Sequence, residues 1–163
     1  MNLAEALVAL TSPTVRPDAD VALRTVGEHL ATRVEPAAGA VAVGVGEQGV
    51  MLARGAARLL RRPDGQDLPV HVAYSFTDDW TRSAVLRWIN SPPPTDAPIV
   101  LFVPHVVNGA QVQDLLAECP PTLAEVPVTV VAIDAEELAY VELLVAHPGI
   151  DVVTAIPRTG AHP

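Results

Sequence analysis

Residues 40 to 60 read AVAVGVGEQGVMLARGAARLL, and how this stretch is read decides the fold. The small and β-branched run Ala40 to Gly44 has the look of a buried strand, while from Val50 to Arg62 apolar residues recur three or four apart, as on a helix. Between them stands Gly44-Val-Gly-Glu-Gln-Gly49, a GxGxxG placed where a strand turns into a helix. In that context Gly44 would permit the tight turn, Gly46 would let backbone approach a ligand and Gly49 would let the helix close on the strand. Backbone amides left free at the positive helix end would face an anion. Gly44, Gly46, Glu47, Gln48 and Gly49 are therefore the candidate binding residues. The alternative for the same residues is a β-hairpin turning at Gly46 to Gly49, with a second strand from Val50. Against it, Arg54, Arg58, Arg61 and Arg62 share one helical face opposite Leu52, Ala56, Leu59 and Leu60.

Outward from this stretch the pattern repeats. Strands are expected at Ala40 to Gly44, Val70 to Ser75, Ile99 to Val103, Val128 to Ile133 and Asp151 to Ile156. Helices are expected at Val50 to Arg62, Asp78 to Asn90, Ala110 to Cys119 and Ala135 to Ala146. Runs such as Ile-Val-Leu-Phe-Val lack in/out alternation, as strands covered on both faces do. Alternating β and α units imply a Rossmann-like three-layer α/β sandwich with a mostly parallel, five-stranded sheet. Residues 1 to 38 read as an amino-terminal helical pair: an apolar helix over residues 2 to 10, and a second opening at Pro17-Asp18 with the core stripe Leu23, Val26, Leu30 and Val34. Residues 39 to 163 read as the α/β domain, and the two parts as one folding unit. The proline-rich Ser91 to Pro98 is a stiff connection into the third strand.

Composition removes whole classes of function. Ten Arg and no Lys stand against nineteen Asp plus Glu, for a net charge of -9, which repels a nucleic acid. Without lysine there is no Walker A loop and no Schiff-base chemistry. With Cys119 as the only cysteine, a disulfide, a thiolate zinc site or a cysteine-ligated cluster within this chain is excluded by count. The first residues lack the pattern of a signal peptide and no apolar run is long enough for a membrane span, so a cytoplasmic protein is expected. The bias to Ala, Val, Arg and Pro is what the genome of a high-GC bacterium encodes.

In an open parallel sheet ligands sit beyond the carboxyl ends of the strands, here Gly44 to Gly49, Ser75 to Asp79, Pro104 to Asn108 and Asp134 to Glu137. A dinucleotide site would also place an acid about 20 residues past the last glycine. Asp78 and Asp79 come 29 and 30 residues after Gly49, and equally suit the start of the next helix. His105 follows the third strand and Asp134 the fourth; near Asp78 they could bind a metal or act as acid and base, although His105 reads first as a turn residue. Arg54 to Arg62 could meet a phosphate-bearing ligand but read first as a solvated helix face. Trp80 and Trp88 line one face of the expected helix over residues 78 to 90. No serine lies in a GxSxG, so no catalytic residue is assigned.

The run from Gly44 to Leu60 resembles the opening of the gamma domain of 2-oxoacid:ferredoxin oxidoreductases, whose pattern is close to GxGGQGVxxAxxxLA. Gly44, Gly46, Gln48, Gly49 and Val50 correspond, and Glu47 replaces the family's second consecutive glycine. Val130-Val-Ala-Ile-Asp-Ala-Glu-Glu-Leu-Ala139 is similar to that family's strand-then-helix V-x-V-D-A-T-x-x-A. Where the family has an Arg-Gly-Gly, Arg82 is followed by Ser83 and Ala84. The resemblance implies an accessory, non-catalytic gamma-like subunit of a thiamine-diphosphate-dependent 2-oxoacid oxidoreductase complex. Its partners would be the thiamine-diphosphate subunits, with coenzyme A or another phosphate-bearing ligand at the glycine loop. The alternatives are a non-enzymatic interaction or scaffold domain, and a small nucleotide-binding protein.

Overall fold

The computed structural model describes residues 1–12, 18–77, 84–94, 96–118 and 126–157. Two helices open the chain, α1 (Leu3–Thr11) and α2 (Ala19–Ala31), followed by β1 (Val41–Val45) and α3 (Gly46–Ala57). Then come β2 (Val70–Thr77), β3 (Ala84–Trp88), β4 (Ile99–Phe102), the two-residue β5 (His105–Val106) and α4 (Gly109–Glu118). The chain continues through β6 (Val128–Ala132), the two-residue β7 (Asp134–Ala135), α5 (Glu137–Ala146) and β8 (Ile150–Thr154). Six strands form one sheet in the order β3-β2-β1-β4-β6-β8, parallel except for the antiparallel edge strand β3. Strands β5 and β7 pair separately, in parallel.

Both faces of the sheet are covered, which explains the uninterrupted apolar runs. Val41, Val43, Ile99, Leu101, Val128 and Val130 point to one core with Leu115 and Leu116 of α4 and Leu143 of α5. Ala42, Val100, Phe102 and Val131 point to the other, with Leu23, Val26 and Leu30 of α2 and Leu52 and Ala56 of α3. The amino-terminal helices thus share a core with the sheet. Asn2 starts α1 with a capping box: its side chain accepts from Glu5 N and its N–H donates to the Glu5 carboxylate, both at 2.9 Å.

The helix expected over residues 78 to 90 is corrected. Residues 78–83, which include Asp78, Asp79, Trp80, Arg82 and Ser83, lie outside the described residues, as does Cys119, and Ala84–Trp88 is the strand β3. Its period is two: Leu86 is buried and Trp88 half-buried, whereas Arg87 and Ile89 are exposed. The spacing of the two tryptophans mimics a helical face, but the register Tyr74↔Arg87 and Ser75↔Leu86 makes a hairpin partner of this segment. Asn90 extends the pairing beyond the strand, its side chain accepting from Val72 N at 2.8 Å and donating to Val70 O at 3.0 Å. The central sheet has six strands where five were expected, because of β3.

The helix expected over Val50 to Arg62 both begins and ends earlier, running over Gly46–Ala57. Beyond it Leu60 turns inward to 2% exposure, Arg61 pairs with Asp67 at 3.1 Å, and the Arg62 Nε–H donates to Ala40 O at 2.9 Å. Arg61 and Arg62 therefore tie the chain together at the amino ends of the strands instead of extending an arginine face.

Helices α2 and α3 cross at backbone contact. A Cβ on Gly27 would stand 2.3 Å from Leu52 O, and one on Gly55 would stand 2.3 Å from Arg24 O. Neither neighbour is a flexible side-chain end, so the helices themselves would have to separate. Gly27→Ala and Gly55→Ala are each expected to destabilise the fold by about 1–3 kcal/mol, the range of an overpacked core, despite alanine's better helix propensity. Urea unfolding followed by circular dichroism checks this, and a stabilising Gly55→Ala would contradict the close crossing.

Candidate functional site

The chain leaves β1 for β2 on one side of the sheet and returns to β4 on the other, so the strand order reverses between β1 and β4. Crevices form at such a reversal, beyond the carboxyl ends of the strands, because the connections diverge to opposite faces. A cavity of about 300 Å³ lies there, lined by Val45, Gly46, Glu47 and Gln48 after β1 and by Ser75 of β2. Val103, Pro104 and His105 after β4 and Gln111, Val112 and Leu115 of α4 complete it.

Gly44 to Gly49 does stand at a strand-to-helix junction, which excludes the hairpin alternative, but its glycines divide the work differently from the expectation. Gly44 is inside β1 and is not the turn. A Cβ there would lie 2.8 Å from the Val50 Cα, so this glycine lets strand and helix touch. Gly46 makes the turn, with φ of 68° and open space where a Cβ would point. At Gly49 a Cβ would lie 2.5 Å from Phe102 O, so α3 closes on β4 as well as on its own strand. Gly46, Glu47 and Gln48 face the cavity; Gly44 and Gly49 are packed beneath it.

Helix α3 has Val45 at its N-cap, with no side-chain cap hydrogen bond. The first amides of an α-helix have no partner within it, so those of this first turn offer donors and a partial positive charge to the cavity. Glu47 in the same turn opposes an incoming anion and also provides an acceptor for hydroxyl groups. Among the described lining residues no arginine supplies a compensating charge.

His105 and Asp134 come together. After Pro104 and Ile133 the chain re-enters extended structure as β5 and β7, which align His105 with Asp134. The His105 Nδ1 lies 2.6 Å from Asp134 Oδ1, both side chains being about half exposed at 45% and 44%. Ile133 N donates to Pro104 O and Glu136 N to Val106 O, both at 2.9 Å, so backbone bonds brace the pair on either side. His105 is thus a strand residue, not a turn residue. It lines the switch-point cavity and also a second, of about 480 Å³, with Val107, Asp134, Glu136, Glu137, Ile156 and Pro157. Among the described residues no group of three or more His, Cys, Asp or Glu is placed to hold a metal ion.

Gln111, Val112 and Leu115 are cavity residues that the sequence reading did not single out. The available signal is Asn108, whose side chain accepts from Ala110 N at 2.8 Å and so starts α4 directly after β5, placing Gln111 in its first turn. A more enclosed cavity of about 260 Å³, lined by residues including Leu116, Val128, His147 and Ile150, lies at the opposite, amino end of the strands. Among the described residues no helix is long and apolar enough to cross a membrane.

The chain matches no protein-family model and no curated protein sequence. Its fold is shared with solved structures at low identity. The AQ2163 protein of Aquifex aeolicus superposes with a TM-score of 0.68 at 13% identity, over 92% of this chain and 80% of that one. TT1426 of Thermus thermophilus gives 0.52 at 14% identity, over 86% and 85%. A purine phosphoribosyltransferase of Pyrococcus horikoshii gives 0.50 at 17% identity, over 86% and 82%. These likenesses establish the class of fold, a Rossmann-like three-layer α/β sandwich with a mostly parallel sheet.

Two substitutions separate the roles of the loop glycines. Gly46→Ala, which meets no atom but must hold a positive φ, is expected to cost about 1–2 kcal/mol. Gly49→Ala, driven into the Phe102 carbonyl, is expected to cost at least as much and to lower the cooperativity of unfolding at the crevice. Denaturant midpoints with amide exchange at residues 45 to 50 measure both.

Proposed function

We propose that this chain is a binding domain for a small sugar phosphate of the ribose 5-phosphate class, held in the crevice between the ends of β1 and β4. The observation that carries the reading is the open first turn of α3, Gly46 to Gln48, facing a cavity at the switch point that also presents Ser75, Gln111 and His105. Helix amides of this kind receive a phosphate without any lysine or arginine, which suits a chain with no Lys and no arginine in the crevice wall among the described residues. The carboxylate, amide and hydroxyl side chains around it match the hydroxyls of a sugar. The volume, about 300 Å³, is at the small end of ligand pockets and favours a compact ligand over a dinucleotide. The purine phosphoribosyltransferase that shares the fold is by its name an enzyme of phosphoribosyl chemistry, and it lends this ligand class support.

A second reading is the gamma-like accessory subunit of a 2-oxoacid oxidoreductase complex. It is favoured by the position of Gly44 to Gly49 at a strand-to-helix junction and of Asp134 between β6 and α5. Retention of thiamine-diphosphate subunits at fixed stoichiometry, on affinity purification from the native host, would support it over an isolated binding domain.

Ribose 5-phosphate at ten times its dissociation constant is expected to stabilise the chain by about 1.4 kcal/mol, a rise of about 3 to 6 °C in melting temperature for a chain of 163 residues. Glu47→Gln, which removes the like charge from the first turn, is expected to tighten binding about twofold to fivefold. A melting temperature indifferent to ribose 5-phosphate up to roughly 10 mM would overturn the reading, since linkage requires any useful affinity to appear by then.

A further inference from the structure

Resting on the sugar-phosphate reading, we propose that His105 is a ligand-contacting residue of the same site: its Nε2 accepts a hydrogen bond from a ligand hydroxyl, and Asp134 positions the ring for that contact. Asp134, when ionised, can only accept a hydrogen bond, so the 2.6 Å contact assigns a proton to His105 Nδ1. In the neutral imidazole the other nitrogen then carries a lone pair and seeks a donor. Of the pair, Asp134 lines only the second cavity, whereas His105 lines both. With Nδ1 engaged by Asp134, the ring nitrogen left for a ligand in the switch-point cavity is Nε2.

The ligand chemistry that fits is therefore two-ended. The amides of Gly46 to Gln48 are donors and take the anionic group; His105 Nε2 is an acceptor and takes a hydroxyl. The fully ionised phosphate of a sugar phosphate offers no proton to Nε2, whereas a sugar hydroxyl does, so the two ends of the site are not interchangeable. The pairing of β5 with β7 gives the arrangement its stiffness. These two residues on each side depart from the main sheet, are held by backbone bonds from Ile133 N to Pro104 O and from Glu136 N to Val106 O, and align His105 with Asp134. Glu47 and the second cavity's Glu136 and Glu137 are the other charged residues around these two cavities among the described residues; of the three only Glu47 lines the switch-point cavity, where it is a further acceptor, on the opposite wall from His105.

The experiment is an NMR titration of the full chain, following the amides of Gly46 to Gln48, with inorganic phosphate and with ribose 5-phosphate. His105→Ala is expected to weaken ribose 5-phosphate about threefold to tenfold, the worth of one hydrogen bond, while leaving phosphate affinity unchanged. That unchanged affinity also reports that the variant has folded. Asp134→Ala is expected to reproduce the loss, and Asp134→Asn, whose amide oxygen still accepts from Nδ1, to restore most of it. Ribose 5-phosphate binding that survives His105→Ala unchanged overturns this proposal alone. An equal loss of phosphate and ribose 5-phosphate affinity also overturns it, because His105 would then act on the anion end or on the fold. Failure of the unaltered chain to bind ribose 5-phosphate overturns this proposal together with the reading on which it rests.

Discussion

Where α3 meets the sheet, at Gly44 and Gly49, there is no room for a methyl group. A side chain at Gly44 would meet the backbone of Val50, and one at Gly49 would meet the carbonyl of Phe102, so helix, parent strand and neighbouring strand touch through bare backbone. This contact brings the first turn of α3 down between the ends of β1 and β4. There the order β2-β1-β4 reverses the direction of winding and opens the crevice. Gly27 and Gly55 make a similar demand on the far side of α3, where α2 presses against it. The helix that carries the site is thus clamped from below by the sheet and from above by α2, both times through glycine.

The opposite wall of the crevice is built by a different device. Strands β4 and β6 run parallel and end together, and the residues just beyond them, after Pro104 and Ile133, form the second short ladder of β5 and β7. Parallel pairing brings His105 level with Asp134 although 29 residues separate them in sequence. A half-exposed contact between a histidine and a carboxylate contributes little to stability by itself. Here the backbone bonds around it hold the ring in place, and the carboxylate decides which nitrogen is left for a ligand. Stiffness of the wall comes from the ladder, and chemical character from the pair.

The inner parallel strands were legible because both of their faces are covered: Val41 to Val45 and Ile99 to Phe102 are buried throughout, and Val128 to Ala132 is broken only by Thr129. Helices α4 and α5 were legible from apolar residues three or four apart. The antiparallel strand β3 was not. Its Ala-Val-Leu-Arg-Trp is as compatible with one helical turn and a half as with five strand residues, and the deciding partner, Tyr74 to Thr77, comes before an intervening segment. The carboxyl end of α3 is hidden in the sequence for a similar reason. Arg58, Arg61 and Arg62 continue the helical spacing, while Leu60 gains more by turning into the core and Arg62 by reaching the Ala40 carbonyl.

What the sequence by itself determined is the layered α/β class, the position of the Gly44 to Gly49 junction and the elimination of lysine and cysteine-pair chemistry. These follow from composition and from periodicities that a chain must show wherever it is buried on one side or on both. Only the tertiary structure decided which glycine turns and which ones pack, that His105 meets Asp134, and that Gln111 of α4 shares a cavity with Gln48 of α3. Those facts depend on strand order and register. Local residue preferences do not encode either one, because both are set by the packing of segments far apart in the chain.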